Sequence, residues 1–413
     1  MTKKRVMILS DSPMLTTGYS NQAQYLGNLL VENGHDVFYL AHTYIGQNLV
    51  PPIKFEDGRQ LKFNIIGQGM TQYFQDVMSQ YLKLYKIDVF IILLDTFMLY
   101  GKDGWFLKID TSPAKTIFWF PSDGGGGMPL NCEQILRKVD IPVAMSKFGK
   151  EQVKKVHNIN TLYIPHMVDL TNYKKYDNEK RIMLKRTWGL EGKFVIGVVA
   201  RNQLRKMLDR TIKTMAIYAK QNPNAILLLH MDPNDPAQGF PITSLIQRYG
   251  LENRVRFTGT KYYHGFNFNQ MSDVYNLMDV FLLTTSGEGF GIPLIEAQAC
   301  GVPVLATNYT TTKELVIDSK AGLGIDLAGV EPDENPDVHG NEILDGTITG
   351  SWSVERGICS IKDAVKKLDY MYNNPDKREQ FAQNGIKNVK ENYDLNVVGK
   401  KWLKLVEKLG DEY

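Results

Sequence analysis

The chain has 413 residues, of which 43% are hydrophobic and 23% charged, with a formal net charge of +3. Such a length is long for one core and fits two domains of about 200 residues, while so small a charge leaves no footprint for a stable nucleic-acid partner. Cys132, Cys300 and Cys359 are odd in number and far apart, which suits neither a disulfide framework nor a zinc cluster and points to a reducing compartment.

The first residues, "MTKKRVMILSDS", are basic but reach Ser10 and Asp11 after four apolar positions, so they carry no secretory apolar region. The strongest apolar run, "VFIILL", is far short of a membrane span. The expectation is a soluble, cytoplasmic protein. Lysine clusters in "KFGKEQVKKVHN" and "KKYDNEKRIMLKR" read first as solvated helix faces and second as a peripheral contact with an anionic membrane.

In chain order, "RVMILSD" reads as a strand and "NQAQYLGNLLVENG" as a helix with Ala23, Leu26, Leu29 and Leu30 on one face and Gly34 at its end. "HDVFYLAH", "DVFIILLD", "KTIFWFP", "IPVAMS" and "TLYIPH" follow as buried-strand candidates. Residues 171–190 turn charged and irregular, as at a domain junction. The alternation then restarts with "FVIGVVAR", a helix over 207–221, "AILLLHM", "VRFTGT", "DVFLLTTS" and "VPVLAT". The pattern predicts an α/β chain of two Rossmann-like, doubly wound domains facing a central cleft, where open parallel sheets bind their ligands. The expected boundaries are 1–175 and 176–392, with residues 393–413 forming a helix that packs back on the first domain. Residues 326–357 show little periodicity and read as a long loop, either functional or mobile.

The chemistry concentrates in "SGEGFGIPLIEAQACGVPVLATN", residues 286–308. A strand must turn sharply into a helix here: Gly287, Gly289 and Gly291 permit close approach by a ligand, Pro293 suits the helix start, and Gly301 its end. A helix N-terminus is a seat for phosphate. Glu288 and Glu296 flank that seat and would repel phosphate, so they suit the hydroxyl donors of a sugar or ribose beside it. The bland alternative is that both are favourable helix-start charges.

"EGFGIPLIE" resembles the E-x7-E motif of the retaining GT-B glycosyltransferases of group 1 (the family 4 type), which use nucleotide-sugar donors. The resemblance implies that Glu296 holds ribose hydroxyls, and that Glu288, Gly289, Phe290 and Gly291 meet the donor sugar. It adds Leu294 to the donor-binding set and Thr260 near the base. "FVIGVVARNQLRK" places Arg201 and Lys206 at a strand end and helix start, where two cations can stabilise a departing diphosphate; the family carries such a pair. Met207 stands where a glycine often follows the lysine. Gly18, in "TTGYS", matches the family's glycine-rich first turn, though it forms no G-x-G-x-x-G fingerprint. Asp123, in "PSDGGGG", lies where many relatives have a histidine and is the candidate polar group near the transferred sugar. The alternative for it is a solvent-facing loop aspartate. His166 and His230 read as structural.

No D-x-D, H-E-x-x-H, P-loop or G-x-S-x-G pattern occurs. The expected activity is a metal-independent, retaining transfer of sugar from a UDP-, GDP- or ADP-sugar to an acceptor hydroxyl, with no cofactor and an undetermined acceptor. The alternatives are a binding protein that keeps the pocket without turnover, or a phosphorylase or epimerase on the same architecture.

Overall fold

A computed structural model describes residues 3–409 except 43, 45, 56–57, 68, 102, 130, 236–238, 262–264 and 333–353. Two parallel sheets organise it. The first has seven strands in the order Asn64–Ile66, Asp36–His42, Arg5–Asp11, Val89–Ile92, Lys115–Phe120, Ile141–Ala144 and Leu162–Tyr163. The second has six, in the order Val255–Phe257, Ala225–His230, Phe194–Val199, Val280–Leu283, Val304–Thr307 and Gly322–Ile325. Helices cover both faces, so central strands such as Val89–Ile92 and Val280–Leu283 are buried at every position. That is why they read as continuous apolar runs and not as alternating ones.

The first helix, Gly18–Glu32, starts where the Thr17 hydroxyl accepts the Ser20 N–H at 3.1 Å. It buries Ala23, Leu26 and Leu30 against the first sheet. Leu29 is covered from elsewhere: the last described helix, Leu395–Lys408, lays Gly399 so close to it that a Cβ there would sit 2.7 Å from Leu29 Cδ2. The same helix buries Trp402, whose ring centroid is 4.9 Å from that of Trp119 in the first sheet.

The chain crosses between the domains twice, and the crossings run side by side. Val168 donates its N–H to Tyr393 O at 2.8 Å, and Leu395 donates to Val168 O at 3.0 Å.

Two expectations need correction. The stretch read as loop over 326–357 contains an antiparallel pair, Leu327–Pro332 with Glu355–Cys359, while residues 333–353 lie outside the described residues. "TLYIPH" supplies only the two-residue edge strand Leu162–Tyr163, because Pro165 ends the pairing. Among the described residues, no helix is long and apolar enough to cross a membrane.

Candidate active site

The carboxyl ends of both sheets face one cavity of ≈ 670 Å³ between the domains. Its far wall is built by the turn after Val280–Leu283. Ser286 donates its N–H to Arg205 O at 2.8 Å, and the Thr284 hydroxyl donates to Met207 O at 2.9 Å. These bonds fasten residues 284–288 to the short helical turn Leu204–Lys206 and bring Glu288 onto Lys206. Lys206 Nζ lies 2.7 and 2.8 Å from the two Glu288 oxygens.

That pair belongs to a chain of alternating charges. Arg205 Nη1 is 3.3 Å from Glu288 Oε2, and its Nε is 3.2 Å from Asp123 Oδ2. Arg205 also donates to Gly287 O. Arg356 completes the series at 3.0 Å from Asp123 Oδ1. Burial would raise the Glu288 pKa, but Lys206 and Arg205 outweigh it and hold the carboxyl below its ordinary range. Burial lowers the Lys206 pKa, and Arg205 adds to this while Glu288 opposes it. Five side chains with three positive and two negative charges thus leave one positive charge over at the mouth of the helix Ile292–Ala299. An incoming anion finds cations that are already ordered.

Arg201 also lines the cavity, but Asp235 grips its guanidinium in a two-pronged pair at 2.9 and 2.7 Å. The cation that shares Glu288 with Lys206 is therefore Arg205, which the sequence reading did not single out. Met207, in the glycine-favoured position, has φ 47 in the left-handed region.

The glycines answer to the opposite domain as well as to any ligand. A Cβ on Gly287 would meet Asp123 O at 1.9 Å, and one on Gly289 would meet Pro121 Cβ at 2.6 Å. Gly291 instead supplies φ 98 just before the helix, whose second residue is Pro293. Gly18 opens the first helix across the cleft, where an added Cβ would lie 3.0 Å from Ile292 Cδ1.

Glu296 lines the cavity, and its Oε2 accepts the Tyr275 hydroxyl at 2.6 Å. Burial raises its pKa against the pull of hydrogen bonds from Tyr275 and Tyr173. Thr260 is buried on the same wall. Phe290 lines the cavity and packs edge-on against His166 at 5.1 Å. Leu294 differs from expectation. It is fully buried in the core, outside the cavity lining, and its N–H is bonded to Gly291 O at 2.9 Å. The helical period carries it to the face opposite Glu296's opening.

The near wall, from the first sheet, holds Asp11, Tyr19, His42, Tyr73 and Asp95. The Tyr19 hydroxyl donates to Asp95 Oδ1 at 2.8 Å. Burial drives the Asp95 pKa up to about 6; the Tyr19 bond opposes this, Asp123 and Asp11 add to it, and Arg205 opposes it. None of these five could be found from local pattern, since they come from separate strand ends, a helix start and a turn that only the fold brings together. His166 is buried among Trp119, Phe290 and Tyr19, with its pKa pushed down to about 3 by burial. His230 bonds the Thr258 hydroxyl at 2.9 Å. Among the described residues, no group of three or more His, Cys, Asp or Glu is arranged to hold a metal ion.

Residues 149–329 match the family described as Glycosyl transferases group 1. The chain carries a glycosyl transferases group 1 domain. This group 1 domain spans the linker and the whole second sheet, including Arg201, Lys206, Glu288 and Glu296. Curated relatives include mannosylfructose-phosphate synthase of Agrobacterium fabrum, 27% identical over 43% of this chain and 38% of that protein. A GDP-mannose-dependent alpha-(1-6)-phosphatidylinositol monomannoside mannosyltransferase of Mycolicibacterium smegmatis is 27% identical over 41% of this chain and 44% of that one. The matches thus span less than half of those relatives' length. Solved structures match end to end. Sucrose-phosphate synthase from Thermosynechococcus elongatus superposes with a TM-score of 0.74 at 16% identity, covering 100% of both chains. HepE of Anabaena in complex with UDP-glucose gives 0.70 at 14% identity over 98% of this chain and 100% of that one. Together with the two facing parallel sheets, this makes the fold GT-B.

Proposed function

We propose that the protein is a glycosyltransferase that moves a sugar from a nucleoside-diphosphate donor to an acceptor hydroxyl, with retention and without a metal ion. The observation that carries this reading is the Lys206–Glu288–Arg205 cluster at the start of the helix Ile292–Ala299, open to the interdomain cavity. The donor diphosphate takes Lys206 and Arg205. Glu288, displaced from its cations, turns to sugar hydroxyls, and Glu296 serves the ribose. Arg201 supports the same wall from its pair with Asp235.

In the transfer, the bond from the sugar's anomeric carbon to the diphosphate oxygen breaks, and its electron pair leaves with the diphosphate. The acceptor oxygen bonds to that carbon on the same face, and its proton passes to the departing diphosphate. No enzyme nucleophile is needed. The ordered cations lower the barrier because they are in place before charge develops. The second domain holds the donor and the first the acceptor. HepE was solved with UDP and with UDP-glucose, which favours a uridine donor as the first to try. The setting is cytoplasmic, with the basic helix Lys147–His157 available for peripheral contact with an anionic membrane.

Melting in the presence of UDP, GDP or ADP, each with and without EDTA, tests the reading. One nucleotide should raise the midpoint, with EDTA making no difference. No shift from any of them, or a shift abolished by EDTA, counts against it.

A further inference from the structure

The near wall of the cavity is chemically unlike the far one. Asp95 occupies the position before the helix Thr96–Tyr100 with extended φ −71 and ψ 146, where a carboxylate ordinarily caps the helix, yet it makes no capping bond. Tyr19 instead holds its Oδ1 at 2.8 Å. Asp11 lies beside it, with the Thr17 hydroxyl donating to Oδ2 at 2.6 Å and His42 Nδ1 3.5 Å from Oδ1.

Next to these carboxylates is an aromatic surface. The His42 and Tyr73 rings stack at 4.5 Å with planes 2° apart, and Trp105 continues the stack behind Tyr73 at 5.8 Å. His166, on the other side of Tyr19, is fully buried and lines the cavity with neither ring nitrogen hydrogen-bonded within the protein. A buried polar group left so is costly unless a ligand completes it.

On the charge side, Arg59 is the Lys or Arg that the described residues of the first domain bring to this wall. Its guanidinium lies 4.5 Å above the Phe55 ring and donates to Pro13 O at 3.3 Å. The cationic surplus is all on the far wall. A phosphate placed before Asp11 and Asp95 meets two carboxylates. A neutral ring with several hydroxyls meets acceptors that want O–H donors and a flat apolar surface for its C–H face.

Resting on the glycosyltransferase reading, we propose that the acceptor is a neutral carbohydrate, bound on the near wall with Asp95 accepting a hydrogen bond from a hydroxyl beside the attacking one and the His42–Tyr73 stack carrying its ring. Tyr19 is then a positioning residue: it holds Asp95 turned toward the cavity.

The test is an array carrying neutral glycans and the same glycans as phosphate esters, probed with the labelled full chain saturated with the nucleotide that stabilises it. Retention on neutral glycans and not on their esters is expected. Asp95→Asn should weaken it roughly tenfold or more, the scale of one hydrogen bond to a charged group. Tyr19→Phe, which keeps the ring, should give a smaller loss. Melting of each variant shows that it folds. Binding to the esters as strong as to the neutral forms, binding to no neutral glycan, or unchanged binding by Asp95→Asn would each overturn the proposal. The donor reading fails separately, by absence of nucleotide stabilisation in the unaltered protein.

Discussion

Arg356 donates to Asp123 twice, to the side-chain Oδ1 at 3.0 Å and to the main-chain oxygen at 2.8 Å. The two residues belong to different domains. Beside them, Gly125 and Glu355 exchange N–H to O bonds of 3.1 and 2.9 Å, and the Tyr309 hydroxyl bonds to both residues. The antiparallel pair that carries Arg356 therefore holds the cleft's rim together from one side.

Replacing Arg356 by alanine removes both bonds while Arg205 still neutralises Asp123. We expect a loss of about 1–2 kcal/mol in unfolding free energy and a larger radius of gyration in solution scattering. An unchanged radius with full stability would mean that this contact does not hold the domains.

Lys206→Ala should lower donor turnover by about a hundredfold or more, the usual cost of one preorganised transition-state contact. Donor consumption with acceptor present is the readout. Turnover within a few-fold of the unaltered enzyme would remove Lys206 from the leaving-group role.

Met207 holds a left-handed conformation that costs a side chain about 1–2 kcal/mol, part of which a glycine's greater unfolded freedom cancels. Met207→Gly should accordingly raise unfolding free energy by up to about 1 kcal/mol, read from the urea midpoint. A destabilised variant would show that the methionine side chain contributes more than its backbone loses.

Glu314 sits in the second domain, yet both its oxygens face the Lys147 N–H, at 2.9 and 3.2 Å, at the start of a first-domain helix. Burial pushes its pKa up to about 7 despite the bonds from Lys147 and Phe148. The folded state then binds the proton more tightly than the unfolded chain does. Its contribution is fully present below about pH 4.5 and is lost as pH rises through about 7, on the order of 3 kcal/mol. Glu314→Gln should flatten that part of the profile, measured by urea unfolding at pH 5, 6 and 8. An identical pH dependence in the variant would assign the effect elsewhere.

The architecture was readable because buried parallel strands leave an unambiguous trace: "DVFIILLD" and "DVFLLTTS" have no polar alternation and cannot be amphipathic edges. The helix start after Gly291 was readable for a similar local reason, a glycine and then a proline where the backbone demands them. Arg205 was not, because nothing local shows that the neighbour of Lys206 also turns onto Glu288 until Ser286 and Thr284 fasten the turn. Asp95 and Tyr19 are separated by 76 positions and meet only through the order of strands in the sheet. Leu294 shows the converse: a motif position named for its neighbours turned out to face the core.

The helix Leu395–Lys408 completes the first domain although it comes after the whole of the second. During synthesis, then, Trp119 and Leu29 wait uncovered while the second domain is made, and the earlier half of the protein reaches its final packing last. A chain stalled before Trp402 would present that apolar face to chaperones or to another unfinished copy.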